Sequence, residues 1–350
     1  MRIIFAGSPA IAVPSLLLLA RLSMAGGEVE LAGVLTKADR ARGRRGQPEG
    51  TEVGKALEAL VPEGSPARGR AFPALLKPER LDAAVREALA ALKPDLLVSF
   101  AYGRIFGPQF LALFPQGGIN IHPSLLPRYR GATPIPQAIL NRDRETGITI
   151  QRLEAELDAG DILAQEAFPL TGRETTASLG EDAGKRGAAL LGSILPDLAR
   201  GALRGRPQDH AAASFCATIR KEDGRIDWNA SAAEIDARIR AFTPWPLCRT
   251  TLGDGELYIL AGRPFAGRRE EAGPPAVAGP PAVAGPPAVA GPPAVEPPGT
   301  VLGIDNGGGI LIQTGNGIFA VERLQYPAKK ALDWRAFLNG ARNFIGSRLT

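Results

Sequence analysis

The first thirty-five residues leave little choice of fold. Residues 2–6 read Arg-Ile-Ile-Phe-Ala, an apolar run of strand length, and Gly7-Ser8-Pro9 turns it into a leucine-rich helix over residues 13–20. Residues 29–35 form a second apolar strand. Strand, turn, helix, strand predicts a βαβ unit and with it a parallel, doubly wound α/β sheet. A dinucleotide-binding turn is a poor reading, because Gly7 stands alone where Gly-x-Gly-x-x-Gly is needed.

The pattern continues. An amphipathic helix carries Leu81, Val85, Leu89 and Leu92 on one side, and residues 95–100 form a buried strand ending at Ala101-Tyr102-Gly103. A helix over 108–114, a strand over 119–121, a helix from Pro134 to Leu140 and an alternating strand over 147–153 follow. Residues 175–203 read as helix with breaks at Gly180 and Pro196, and close a domain spanning 1–203. Residues 204–213, polar and holding Pro207, read as a linker. From 214 to 350 short strands at 248–252, 257–260, 300–304, 309–313 and 318–323, separated by Gly turns, predict a small β-barrel. Helices are expected around 232–241 and over 334–344. A low-complexity insertion at 272–299 repeats Gly-Pro-Pro-Ala-Val-Ala from Gly273, Gly279 and Gly285, with an altered copy from Gly291. Its proline pairs favour extended polyproline II.

With 45% hydrophobic and 22% charged residues, a chain of 350 has the make-up of a soluble protein of two ordinary domains. Two cysteines, Cys216 and Cys248, read as reduced thiols, and no metal-ligand spacing is present. No secretory leader and no apolar run of membrane length is read, so a cytoplasmic location without a membrane partner is expected. No coiled-coil pattern argues for assembly, and a monomer is expected.

Residues 117–133 concentrate the chemistry. Asn120 alternates with Ile119 and Ile121, so its side chain points away from theirs, and His122 follows at the same period. Pro123 ends the strand, having no N–H to donate. An amide and an imidazole thus share one face where a strand stops, which is where open α/β sheets bind ligands. On position alone His122 is equally a strand-end residue satisfied by a carbonyl. Asp158, in the acidic loop Glu154-Ala-Glu-Leu-Asp-Ala-Gly-Asp161, is by itself an ordinary turn aspartate.

A second concentration is charge. Lys37, Arg40, Arg42, Arg44 and Arg45 stand against Asp39 alone, which accounts for most of the chain's formal +5. Five cations on a pliable, Gly-containing loop suit phosphates, so a nucleic-acid contact is expected. Lys329 and Lys330 open a second basic area.

Together Asn120-Ile-His122, Ser124-Leu-Leu-Pro-Arg-Tyr-Arg-Gly131 and Asp158-Ala-Gly-Asp161 resemble the 10-formyltetrahydrofolate-dependent formyltransferases. The resemblance covers nearly the whole chain outside the repeat. The basic loop, Arg225-Ile-Asp-Trp228, Phe242-Thr-Pro-Trp-Pro246 and Lys329-Lys330 are similar to the branch that acts on methionyl-tRNA, with sugar-nucleotide formyltransferases as the alternative. This implies a Rossmann-like formyltransferase domain followed by an OB-like domain that binds tRNA. It also implies 10-formyltetrahydrofolate as formyl donor, initiator methionyl-tRNA as acceptor and no metal. Asn120, His122 and Asp158 are then the catalytic residues. Asn120 donates to the oxyanion, His122 donates to it or takes the amine's proton, and Asp158 orients the imidazole and holds a water. Ser124, Leu125, Leu126 and Pro127 fall at the folate, and Arg40, Arg42, Arg44, Arg45, Lys329 and Lys330 at the tRNA. Departures are Ser8 for a common threonine, Ala38 for a proline, and Thr218 for a lysine whose charge Arg220 supplies two residues later.

Overall fold

The computed structural model describes residues 1–41, 47–60, 72–267, 296–305 and 307–350. The described residues form two compact units. The first holds Met1–Ala138, Asp143–Gly172 and Ala177–Thr218; the second holds Ile139–Arg142, Arg173–Thr176 and Ile219–Thr350.

In the first unit β1 (Arg2–Gly7), β2 (Glu30–Leu35), a hairpin of β3 (Arg40–Ala41) and β4 (Pro48–Glu49), and β5 (Ala74–Leu76) come early, with α1 (Val13–Met24) and α2 (Glu52–Leu60) between them. Then follow α3 (Ala83–Ala91), β6 (Leu96–Phe100), α4 (Pro108–Leu111), β7 (Gly118–His122), β8 (Arg130–Gly131), α5 (Pro134–Leu140), β9 (Glu145–Arg152) and β10 (Ile162–Pro169). The seven-stranded sheet runs β10-β9-β7-β6-β1-β2-β5. Its five strands from β7 to β5 are parallel, as the βαβ start predicts. β9 pairs antiparallel with β7 and β10 antiparallel with β9, so β9 alone runs against the other strands, a departure from the all-parallel expectation. The reason is local. Between β7 and β9 the chain passes through β8 and the short α5 without crossing back to the end where β7 starts, so β9 enters from the end where β7 stops.

The helix expected with breaks at Gly180 and Pro196 is unbroken: α6 spans Thr176–Ala199. Two of its glycines serve packing, while a Cβ on Gly180 would meet only the tip of Ile135 at 4.0 Å. A Cβ on Gly184 would lie 2.7 Å from the Ile11 carbonyl oxygen, and one on Gly187 would lie 3.0 Å from Ile121. Pro196 sits three residues before the end, where the helix is about to stop anyway. On the other face Leu89, with Leu81, Val85 and Leu92 beside it, packs on Ile4, Leu35 and Leu97, the helical stripe read from sequence. Asp82 caps α3 by accepting from the Val85 N–H.

The stretch 204–213, expected as a linker, is instead part of the first unit. Arg206 and Ile162 exchange both backbone hydrogen bonds at 2.8 Å, and Gln208 is buried. Gln208 alone of its polar side chains is buried, where it meets buried partners; Arg204, Arg206, Asp209 and His210 are exposed. β11 (Phe215–Cys216) then pairs with β8.

In the second unit α7 (Ala232–Ala241), capped by a reciprocal Ser231–Glu234 box, packs on an antiparallel sheet. Its order is β12 (Cys248–Leu252), β13 (Gly255–Pro264), β16 (Ile318–Gln325), β15 (Gly309–Gln313) and β14 (Val301–Asp305), with β17 (Leu332–Asp333) on β16. The last residues tie its two edge strands together. Thr350 accepts from the Thr251 N–H at 2.8 Å and Ser347 from the Val301 N–H at 2.9 Å, the closure a small barrel requires. Trp228 is buried and donates to Thr250 Oγ1 at 2.9 Å. α8 is Trp334–Gly340, shorter than expected because the chain leaves the helix after Gly340 and Asn343 is left-handed. The Gly-Pro-Pro repeat lies outside the described residues, except for its last four positions. No described helix is long and apolar enough to cross a membrane.

Candidate active site

Ile121 faces α6, so Asn120 and His122 project from the opposite face of β7, at the end where the parallel strands stop. The register brings company to that face. Asn120 pairs with Ser99 on one side and Gln151 on the other, and His122 pairs with Thr149. Directly opposed residues share a face, so Asn120 and Gln151 lie side by side.

His122 is 4% exposed, and its two ring nitrogens have different surroundings. Nε2 lies 2.8 Å from the Tyr129 carbonyl oxygen, which can only accept, so this nitrogen carries the hydrogen. Nδ1 is 3.6 Å from Asp158 Oδ2, too long for a direct hydrogen bond. The imidazole is therefore held by Tyr129 rather than by Asp158, a difference from the role expected of that carboxylate. In the neutral ring Nδ1 bears the lone pair, turned toward Asp158.

Asp158 is not an ordinary turn residue. Its backbone is left-handed, with φ 52°. Oδ1 accepts from Gln151 Nε2 and Oδ2 from the Gly131 N–H, each at 2.9 Å. The Asn120 amide makes no hydrogen bond among the described residues, leaving two donors uncommitted beside Gln151. The structure thus brings the three expected catalytic residues together.

The expected folate residues form a tight turn whose polar atoms are spent internally. Ser124 Oγ donates to the Arg128 carbonyl at 2.6 Å, Leu126 N–H donates to Thr149 Oγ1, and Gln165 Nε2 donates to the Leu126 carbonyl. Leu125 and Pro127 are half-buried. The two arginines that follow differ. Arg128 is largely exposed and pairs with Asp143 at 3.0 Å, while the Arg130 side chain is 1% exposed.

Of the basic loop, Arg42, Arg44 and Arg45 lie outside the described residues; Arg40 is exposed in β3. Beside it, partial burial pushes the Lys37 ammonium below its usual range, and the charges of Arg104 and Arg40 push the same way. Lys37, Arg40 and Arg104 have no acidic partner among the described residues. Lys329 and Lys330 are exposed in the turn between β16 and β17 of the second unit, also without an acidic partner among the described residues. No cluster of three metal-ligating side chains occurs among the described residues.

Sequence reasoning missed Gln151, Gln208, Arg104 and the Tyr129 carbonyl. Gln151 was visible as the polar phase of an alternating strand. Gln208 gave no signal, because its partners are up to 78 positions away in the chain.

Residues 1–195 match the formyl transferase family, and residues 218–342 match its C-terminal domain. A methionyl-tRNA formyltransferase of Treponema denticola is 45% identical over 99% of this chain and 98% of that protein. One from Treponema pallidum is 41% identical over 100% and 99%. Among solved structures, a sugar 3N-formyl transferase with dTDP and 5-N-formyl-THF shares the fold at a TM-score of 0.60 and 18% identity, over 94% of this chain and 99% of that one. HypX from Aquifex aeolicus, in complex with tetrahydrofolic acid, has a TM-score of 0.58 and 16% identity, over 99% of this chain and 48% of that one. With both domains matched and relatives aligned end to end, the chain belongs to the formyl transferase family.

Proposed function

We propose that this protein transfers a formyl group from 10-formyltetrahydrofolate to the α-amino group of methionyl-tRNA. The observation that carries the acceptor is the end-to-end similarity to methionyl-tRNA formyltransferases at 45% identity, both domains included. The chemistry rests on the Asn120, His122 and Asp158 cluster at the end of β7.

The amine nitrogen attacks the formyl carbon, forming a new C–N bond and placing negative charge on the formyl oxygen. The uncommitted amide of Asn120 donates to that oxygen. The nitrogen's surplus proton passes to His122 Nδ1, the ring's free lone pair. Asp158 Oδ2 faces the resulting imidazolium, and the Tyr129 carbonyl holds its other N–H. Breaking the bond from carbon to N10 collapses the intermediate, and N10 takes the proton back from the imidazolium. The products are formyl-methionyl-tRNA and tetrahydrofolate. Residues Ser124, Leu125, Leu126 and Pro127 act as a rigid wall, meeting folate through the apolar surface of Leu125 and Pro127. Arg40, Arg42, Arg44, Arg45, Lys329 and Lys330 bind tRNA phosphates, in the described cases as exposed, unpaired cations. No step needs a metal ion.

The test is formylation with 10-formyltetrahydrofolate of initiator methionyl-tRNA, elongator methionyl-tRNA and a nucleotide-linked amino sugar. Formylation of initiator methionyl-tRNA is expected. An amino sugar formylated in its place would overturn the reading.

A further inference from the structure

We infer that Arg130 and Gln208 are positioning residues for formyl transfer: a one-way chain of hydrogen bonds from the Arg130 guanidinium fixes Asp158 as an acceptor on both oxygens beside His122. The inference rests on the catalytic assignment of Asp158 and His122 proposed above.

The chain begins at a group that can only donate. Buried Arg130 directs Nε and Nη2 to Gln208 Oε1, at 3.2 and 2.9 Å. A guanidinium holds its protons at any working pH and has no acceptor, so the oxygen end of Gln208 must face it. The amide nitrogen of Gln208 is thereby turned the other way. Its two hydrogens serve three acceptors, the Gly160 carbonyl at 2.7 Å, the Asp158 carbonyl at 2.9 Å and Gln151 Oε1 at 3.1 Å, so one hydrogen is shared between two of them. With its oxygen taken, Gln151 presents Nε2 to Asp158 Oδ1. Each amide inherits its orientation from the one before.

The path closes on itself. Gly131, the next residue after Arg130 on β8, donates its N–H to Asp158 Oδ2. One two-residue strand therefore grips the carboxylate twice, directly on Oδ2 and through two glutamines on Oδ1. Gln208 also holds the Asp158 carbonyl, whose residue has the unusual positive φ.

Direction is what matters for chemistry. A reversed Gln208 would set its amide hydrogens against the Arg130 guanidinium and its oxygen against the Asp158 and Gly160 carbonyls, so the observed orientation is the satisfied one. The observed orientation brings a donor to each carboxylate oxygen and so holds Asp158 as an acceptor with Oδ2 facing His122. A reversed Gln151 would turn an oxygen toward Asp158 Oδ1 and leave two acceptors facing each other.

The test is Gln151→Met, which keeps length, removes the donor to Asp158 Oδ1 and leaves Gln208 its two carbonyl acceptors. Formylation of methionyl-tRNA is measured in the full-length protein, alone and in an Asp158→Ala background, with thermal unfolding as a control. Gln208→Asn, which draws the amide back by one methylene, is the second variant and is read the same way. The expected result is a ~10–100-fold fall in kcat with KM for both substrates unchanged, and no further fall in the Asp158→Ala background. An equal loss in both backgrounds, or full kcat in the single variants, would overturn this inference alone. Asp158→Ala turning over at the wild-type rate would overturn the catalytic assignment and this inference with it.

Discussion

The end of β7 in the first unit and the β16–β17 turn in the second use polar residues in opposite ways. Around His122, buried polar groups are paired and their directions are set: Tyr129 on Nε2, Gln151 and Gly131 on Asp158, Gln208 behind them. In the turn, Lys329 and Lys330 stand exposed without acidic partners among the described residues. Fixed donors in a dry site stabilise a charge that exists only in the transition state. Free cations in water attract a polyanion over distance and release its counterions. On the function proposed above, the first arrangement governs turnover and the second governs encounter and affinity.

Substitutions divide the same way. The largest effect belongs to His122→Ala, expected to lower kcat by ~10²–10³ with KM for tRNA unchanged, as read by steady-state formylation. Loss of affinity without loss of turnover would erase the contrast. Gly131→Ala comes next. Gly131 has φ 117°, and a Cβ there would lie 2.4 Å from the Cys216 carbonyl oxygen. The strain is expected to cost ~1–3 kcal/mol in denaturant unfolding and to lower kcat as well, since the N–H on Asp158 shifts. In the second unit Lys329→Ala with Lys330→Ala is expected to raise KM for tRNA, leave kcat intact and reduce the salt slope of binding by ~1–2. An unchanged slope would mean that the turn does not meet phosphate.

An effect confined to high pH concerns the core of the second unit. Burial pushes the Cys248 thiol from 9.0 up to about 12. The folded state thus favours the protonated thiol, and this contribution to stability is present below pH 9 and lost as pH rises toward about 12. Denaturant midpoints of the wild type should fall more steeply across that window than those of Cys248→Ala.

Legibility followed the range of the interaction. The βαβ start, the shared face of Asn120 and His122 and the stop at Pro123 are written in spacings of two to four residues, and the structure contains them. Gly180 and Pro196 misled, because a glycine tolerated inside a long helix, or a proline in its last turn, looks in sequence like a helix break. Asp158 carried no local mark; similarity to a family singled it out. Gln208 was hidden furthest, since its partners Arg130 and Gln151 lie 78 and 57 positions away, and a polar stretch with a proline reads as linker.

The most direct test of the account is single-turnover formyl transfer by Asn120→Ala, with methionyl-tRNA affinity measured on the same preparation. Removing the one uncommitted amide at the end of β7 is predicted to slow transfer by ~10²–10³ while affinity stays at the wild-type value. Transfer at the wild-type rate by a folded Asn120→Ala protein would contradict it.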